Sequence, residues 1–118
     1  MENLYAGRLA MYQAVKAVCE EKPSVWRRSS AFTDAFADFC ACVEHLVRLQ
    51  PAAGVFNSVD QGIAMKMEVA DTILTTEMDE LIEQFEAVDV DFVDDYTAAR
   101  SRETAADDFA PARLRPAA

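Results

Sequence analysis

The apolar residues between positions 58 and 86 recur at intervals of three and four, which is the period of one face of an α-helix. The members of this row are Val59, Ile63, Met67, Ala70, Leu74, Met78, Leu81 and Phe85. Ser58 and Gln61 have the spacing of a capping box at its start. A helix of this length spans roughly 40 Å, so we expect the other segments to pack around it.

The rest of the chain predicts three more amphipathic helices with short connections. They run over residues 3–22, from residues 29–30 to about residue 49, and from residues 89–91 to about residue 110. A proline follows each of them, and the residue before a proline is pushed out of the α region. We therefore predict an all-α fold, an antiparallel up-down-up-down four-helix bundle over residues 1–110, with an irregular tail at 111–118. The alternative is a three-helix core whose fourth element docks on a second subunit.

The composition is that of a single globular unit. A chain of 118 residues with 52% apolar residues fits one domain with its own core. The first residues have no basic stretch followed by an apolar core, so we expect no secretory signal. The longest unbroken apolar run, residues 39–43, is far shorter than a membrane span of about 20 residues. Three cysteines without such a signal indicate reduced thiols, so we expect a cytoplasmic protein that does not bind a membrane.

The net charge of −10 is concentrated in one part of the chain. Residues 1–59 carry six basic and six acidic groups, and residues 96–118 carry four basic and three acidic groups. Residues 60–95 carry twelve acidic groups and one lysine. Because binding to a phosphate backbone needs the opposite sign, we expect no direct nucleic-acid binding. A basic protein, cations or solubility remain as reasons for the surplus.

A set of residues in and after the first helix carries a resemblance. They are Met11, Tyr12, Val15, Val18, Cys19, Glu20, Glu21, Pro23 and Trp26. The set resembles the opening of a family of uncharacterised bacterial helical-bundle proteins over roughly the first 30 residues, with a looser likeness in helical layout up to the long helix. The resemblance implies a bacterial helical bundle. Because the family has no assigned activity, it implies no site.

The long helix is apolar over more of its circumference than one bundle face needs. Met65, Val69 and Ile73 form a second row beside the first. Between residues 62 and 74 the apolar arc spans roughly 220°, against about 100° for an ordinary surface helix. We therefore expect Met65, Val69 and Ile73 to form an interaction face for a homodimer or a helical protein partner. The alternative is that the connection between the first two helices, or the C-terminal tail, covers this row.

Two charged residues fall within apolar rows. Arg8 lies near the middle of the apolar face of the first helix, and Glu103 near the middle of that of the last helix. In an antiparallel arrangement the two residues lie at similar height, which predicts a partly buried Arg8–Glu103 ion pair. The alternative is that both side chains reach out to solvent from a frayed end of the bundle.

Six acidic residues at and after the end of the long helix are expected to form an acidic surface. They are Glu77, Glu80, Asp89, Asp91, Asp94 and Asp95. The cluster does not match an EF-hand, since the sixth position from Asp89 is Asp94 instead of glycine and the twelfth is Arg100 instead of glutamate. A solvated cap and helix face explains the cluster, and recognition of a basic protein is the functional alternative.

Neither a metal centre nor a catalytic motif is predicted. Cys40 and Cys42 point about 160° apart on a helix, so they cannot share one zinc ion with His45. The glycines are isolated and form no phosphate-binding loop. The sequence therefore favours a non-enzymatic acidic interaction protein that self-associates and binds a protein partner without a cofactor. The alternative is a small-ligand or metal-binding bundle that uses inward carboxylates such as Glu77 and Glu103.

Overall fold

All regular structure in the part of the chain described by the computed structural model, residues 2–101, is helical. Side chains are described from residue 7 onward. The helices are α1 (Glu2–Glu21), α2 (Pro23–Trp26), α3 (Ser30–Leu49), α4 (Asn57–Ile73), α5 (Asp79–Ile82) and α6 (Val90–Arg100). Four of them are substantial, so the predicted all-α class is confirmed for this range. The predicted end of the last helix, the tail at 111–118 and Glu103 lie outside the described residues.

Two helices begin with side-chain caps. The hydroxyl of Ser29 accepts a hydrogen bond from the backbone N–H of Phe32 at 3.1 Å, before α3. The carboxylate of Asp89 accepts one from the N–H of Phe92, also at 3.1 Å, before α6. Each cap satisfies an N–H that has no partner within the helix itself.

The predicted capping box at Ser58 and Gln61 is wrong. The helix begins two residues earlier than that box requires, with Phe56 at the cap position and no side-chain cap. The preceding turn bends at Gly54, whose φ of 85° suits a residue without a Cβ. The carboxylate of Asp60, in the first turn of α4, accepts a hydrogen bond from the N–H of Gly54 at 2.8 Å. This contact ties the turn to the helix in place of the capping box.

An aromatic cluster closes one end of the core. Trp26 lies against Phe36 and Phe32 with ring centroids 5.0 Å and 5.6 Å away. Phe32 in turn meets the ring of Phe85 edge-on at 5.2 Å. The indole N–H of Trp26 donates to the backbone carbonyl of Cys19 at 2.8 Å. Trp26 therefore closes this end of the core and satisfies its polar atom.

The long helices pack in a defined set of neighbours. Helix α1 packs against α6 and α3, and α3 packs against α4. The ammonium of Lys22, just after α1, lies 3.1 Å from a carboxylate oxygen of Asp89, just before α6. Near the other end of α6, the guanidinium of Arg100 contacts the sulfur of Met11 at 3.7 Å. These contacts fix the relative position of the first and last described helices.

A π turn at Leu74–Met78 joins α4 to α5. The backbone N–H of Asp79 donates to the carbonyl of Leu74, five residues earlier, where an α-helix bonds to the fourth. Threonine hydroxyls bond to the backbone on the exposed side, Thr75 to the carbonyl of Asp71 and Thr76 to that of Thr72. The long helix is therefore continuous but is not α-helical throughout.

Candidate functional site

The π turn changes which residues of the long helix face the core. Residues in an α-helix advance by about 100° each, so Ala70 and Ile82 would point about 120° apart in an uninterrupted helix. Both are buried here, together with Met78 between them. Leu81, which the sequence assigns to the buried row, is only half-buried. The π turn takes up about one residue and rotates the second half of the helix, so that Ile82 takes the place predicted for Leu81.

On the α1 side, two residues of α1 hold an aspartate that precedes the π turn. The guanidinium of Arg8 forms an ion pair with the carboxylate of Asp71. The hydroxyl of Tyr12, which is fully buried, donates to the same carboxylate at 2.6 Å. That hydroxyl also lies 3.2 Å from the backbone carbonyl of Met67. We call Arg8, Tyr12 and Asp71 the Arg8 cluster.

On the α6 side, two residues of α6 hold an aspartate that follows the π turn. The guanidinium of Arg100 donates to both oxygens of Asp79, from Nε at 2.9 Å and from the terminal nitrogen at 2.7 Å. The hydroxyl of Tyr96 donates to the same carboxylate at 2.6 Å. Burial, followed by the hydrogen bond to Asp79, raises the pKa of Tyr96, so its phenol stays protonated and acts as a donor. We call Asp79, Tyr96 and Arg100 the Arg100 cluster.

The two clusters have the same composition and flank the π turn. In each, an arginine and a tyrosine four residues apart on one helix grip an aspartate of the long helix. Both oxygens of Asp79 accept hydrogen bonds from Arg100 and Tyr96, so this carboxylate holds the two helices together instead of acting as a free base. The sequence signals that could have found the clusters are the spacings Arg8 to Tyr12 and Tyr96 to Arg100.

The predicted interaction face is divided by the structure. Met65 and Val69 are 67% and 47% exposed on α4. Ile73 is only 7% exposed and belongs to the core. Met65 and Val69 are therefore at the surface, whereas Ile73 packs into the core of the protein. Arg8, expected to pair with Glu103, contacts Asp71 and Tyr12 within the described residues.

The predicted acidic surface is exposed at five of its six members. They are Glu77, Glu80, Asp91, Asp94 and Asp95. The sixth, Asp89, caps α6 and pairs with Lys22. The hydrogen bond from Lys22, and then that from the N–H of Phe92, lowers the pKa of Asp89. The exposure of Glu77 also means that it lines no inward site of the kind a ligand-binding bundle would need.

An open groove with a volume of about 480 Å³ runs between α1 and α3. Its floor includes Val43 and Val47, and Val47 is 43% exposed. Its rim carries the ion pair of Lys16 and Glu20, whose charged atoms are 2.8 Å apart. Side chains of both charges line the groove, and its exposed valine, Val47, belongs to α3 instead of α4.

The cysteines lie among core residues of α1 and α3. Cys19 and Cys42 are buried and Cys40 is half-buried, all three as free thiols. Burial raises the pKa of Cys40 to about 11, so the thiol is not a reactive thiolate at neutral pH. Within residues 2–101 no group of three or more acidic, cysteine or histidine side chains is arranged to hold a metal ion.

The same described range contains no helix long and apolar enough to cross a membrane. Comparison of the chain with models of protein families, with curated proteins and with solved structures gave no match. The site must therefore be interpreted from its own geometry.

Proposed function

We propose that this protein is a non-enzymatic, acidic interaction module that associates with a second copy of itself through the exposed face of α4 and binds a basic protein partner. The observation that carries the proposal is the exposure of Met65 and Val69, two large apolar side chains four residues apart on one helix. Such neighbours share a helix face, and methionine adapts its shape to a partner surface.

The acidic half of the proposal is supported by charge. Residues 60–95 carry twelve acidic groups against one lysine, and most of the predicted acidic surface points into solvent. Potentials of this kind attract a basic partner over a distance of about a Debye length and weaken as salt is added. Met65 and Val69 lie on α4, whereas the exposed acidic residues lie on the π turn, α5 and α6. We therefore expect self-association through α4 to leave the acidic residues free for a partner.

We further propose that the helices form the antiparallel up-down-up-down bundle that the sequence predicts. The contacts of Lys22 with Asp89 and of Arg100 with Met11 support it, because they pair the end of α1 with the start of α6 and the end of α6 with an earlier part of α1. Short connections between consecutive long helices favour the same order.

Size-exclusion chromatography with light scattering tests the self-association. We expect the wild type to have the mass of two chains and the Val69→Glu variant the mass of one, because a charge would be buried in the interface. The Val47→Glu variant is the matched control, since Val47 has similar exposure but lies in the groove between α1 and α3. A wild type with the mass of one chain would refute the proposal, as would dissociation by both substitutions equally.

A further inference from the structure

The second half of the long helix has two adjacent apolar residues, and the rotation of this segment decides which of them faces the core. Leu81 and Ile82 are adjacent, Ile82 being buried and Leu81 half-buried. With the π turn present, Ile82 faces the core. If the π turn were replaced by regular α-helix without loss of a residue, the segment would rotate by about 100° and Leu81 would face the core instead.

The Arg100 cluster holds the observed rotation. Asp79 is the first residue after the π turn, and its carboxylate receives hydrogen bonds from Arg100 and Tyr96 of α6. Rotation of the segment by about 100° would carry Asp79 away from both donors. On the other side of the turn, the Arg8 cluster holds Asp71 against α1, so the first half of the helix stays in place.

We propose that the π turn at Leu74–Met78 is a rotation joint of the long helix, and that the Asp79–Arg100 contact is its latch. When the latch opens, the segment from Asp79 to Phe85 rotates by one residue position relative to α4, exchanging Ile82 for Leu81 on the core side. The rotation would redirect the acidic side chains Glu80 and Glu83, which are exposed, and so change the surface offered to a partner.

The sequence also shows what opposes the rotation. In the rotated state the helix is regular, and residues seven and fourteen positions apart point in nearly the same direction at about 100° per residue. Glu77 and Gln84 would then turn toward the side of the helix that carries Ala70. Both are exposed at present. Burying the unpaired polar groups of Glu77 and Gln84 is costly, so this cost adds to the Asp79–Arg100 contact in favouring the observed state. The Glu77→Leu substitution should therefore make the rotated state more accessible.

Thiol labelling tests the joint. Two reporter variants, Leu81→Cys and Ile82→Cys, are each reacted with a maleimide, and each cysteine is followed by peptide mass spectrometry. With the latch intact, we expect the thiol at 81 to react faster than the thiol at 82. Adding Arg100→Gln should raise the rate at 82 by roughly tenfold, the change in population expected for loss of a charge-assisted hydrogen bond, and lower the rate at 81. Adding Glu77→Leu should enlarge both changes.

Opposite changes at the two positions distinguish rotation from unfolding, which would raise both rates together with that of the buried Cys19. Deletion of Thr75 provides the matched control. It removes the extra residue of the π turn, so a continuous α-helix would keep Ile82 buried, and Arg100→Gln should then leave the rate at 82 unchanged. Unchanged rates at 81 and 82 in the Arg100→Gln variant, or a parallel rise at 81, 82 and Cys19, would overturn the proposal.

Discussion

Two aspartates of the long helix, Asp71 and Asp79, are each held by an arginine and a tyrosine of a neighbouring helix. A carboxylate that receives a charged donor and a phenol donor is a stronger contact than a lone surface ion pair, because the geometry is fixed by several hydrogen bonds. In the Arg100 cluster the guanidinium itself is bidentate, because it donates to both oxygens of Asp79.

A double-mutant cycle measures the coupling free energy between Asp79 and Arg100. Urea unfolding of the wild type, Asp79→Asn, Arg100→Gln and the double variant should give a coupling free energy of about 1 kcal/mol, because the pair is bidentate but still partly exposed. The exposed pair of Lys16 and Glu20 is the control, with an expected coupling of about 0.3 kcal/mol. Equal coupling in the two pairs would show that the bidentate geometry adds nothing.

The Asp89 carboxylate predicts a dependence of stability on pH. Its pKa is lowered from the ordinary value of 3.8, chiefly by the hydrogen bond from Lys22. A lowered pKa in the folded state means that this group stabilises the protein above the pKa of the unfolded carboxyl, and that the contribution is lost as the pH falls through the lowered value. The Asp89→Asn variant keeps a good helix cap but does not titrate.

The difference in unfolding free energy between the wild type and Asp89→Asn should therefore shrink between about pH 5 and pH 2. Denaturant melts across this range provide the measurement. A difference that stays constant with pH would mean that the ion pair with Lys22 does not form in solution.

At this scale the sequence indicates the position of Arg8 but not its contact with Asp71. It places Arg8 within an apolar row, and in the structure the guanidinium of Arg8 is taken up by Asp71. The predicted partner, Glu103, lies outside the described residues, so the Arg8–Glu103 pair stays a prediction. A helical wheel gives the direction of a side chain but not which neighbour faces it. Asp71 lies outside the predicted apolar rows and gives no comparable signal.

The long helix shows what a period can and cannot predict. Its first half follows the predicted row from Ile63 to Leu74, all of which is consistent with an α-helix. Beyond Leu74 the prediction assumes an unbroken α-helix, and a π turn cannot be read from gaps of three and four, because both Leu81 and Ile82 fit an apolar face. That Ile82, and not Leu81, faces the core can be known only from the residues that pack against this part of the helix.

Alanine substitutions test the position of Ile82 in the core. Ile82→Ala should lower the free energy of unfolding by about 3 kcal/mol, because it leaves a cavity at a buried site, whereas Leu81→Ala should cost about 1 kcal/mol. Denaturant unfolding of the two variants gives both values. A larger cost at Leu81 than at Ile82 would mean that the long helix is a regular α-helix in solution.

As a whole, the molecule combines a predictable fold class with an uneven surface. The apolar period and the prolines after the helices are enough to predict an all-α domain. The exposure of Met65 and Val69 fits the interaction face expected from the wide apolar arc, whereas the burial of Ile73 does not, because it depends on which helices pack beside α4. The acidic surplus of residues 60–95 is visible in the sequence itself.

The acidic surface should bind a basic probe in a salt-dependent way. We expect poly-lysine to bind the wild type at low salt and to be released as salt is raised, because the interaction is between exposed charges. Substitution of Asp94 and Asp95 by lysine should weaken binding more than the same change at Asp34 and Asp38, which lie on α3. Isothermal titration at two salt concentrations would measure this, and equal effects of the two charge reversals would argue against a localised surface.

Oxidation of Met65 provides the most direct test of the proposed association. This side chain is 67% exposed in one copy of the chain, whereas Met67, two residues away, is buried and serves as the internal reference. Hydroxyl-radical footprinting read by mass spectrometry should show that Met65 becomes protected as the protein concentration rises, and that the Val69→Glu variant abolishes this protection. Oxidation of Met65 at the same rate at every concentration would contradict the account.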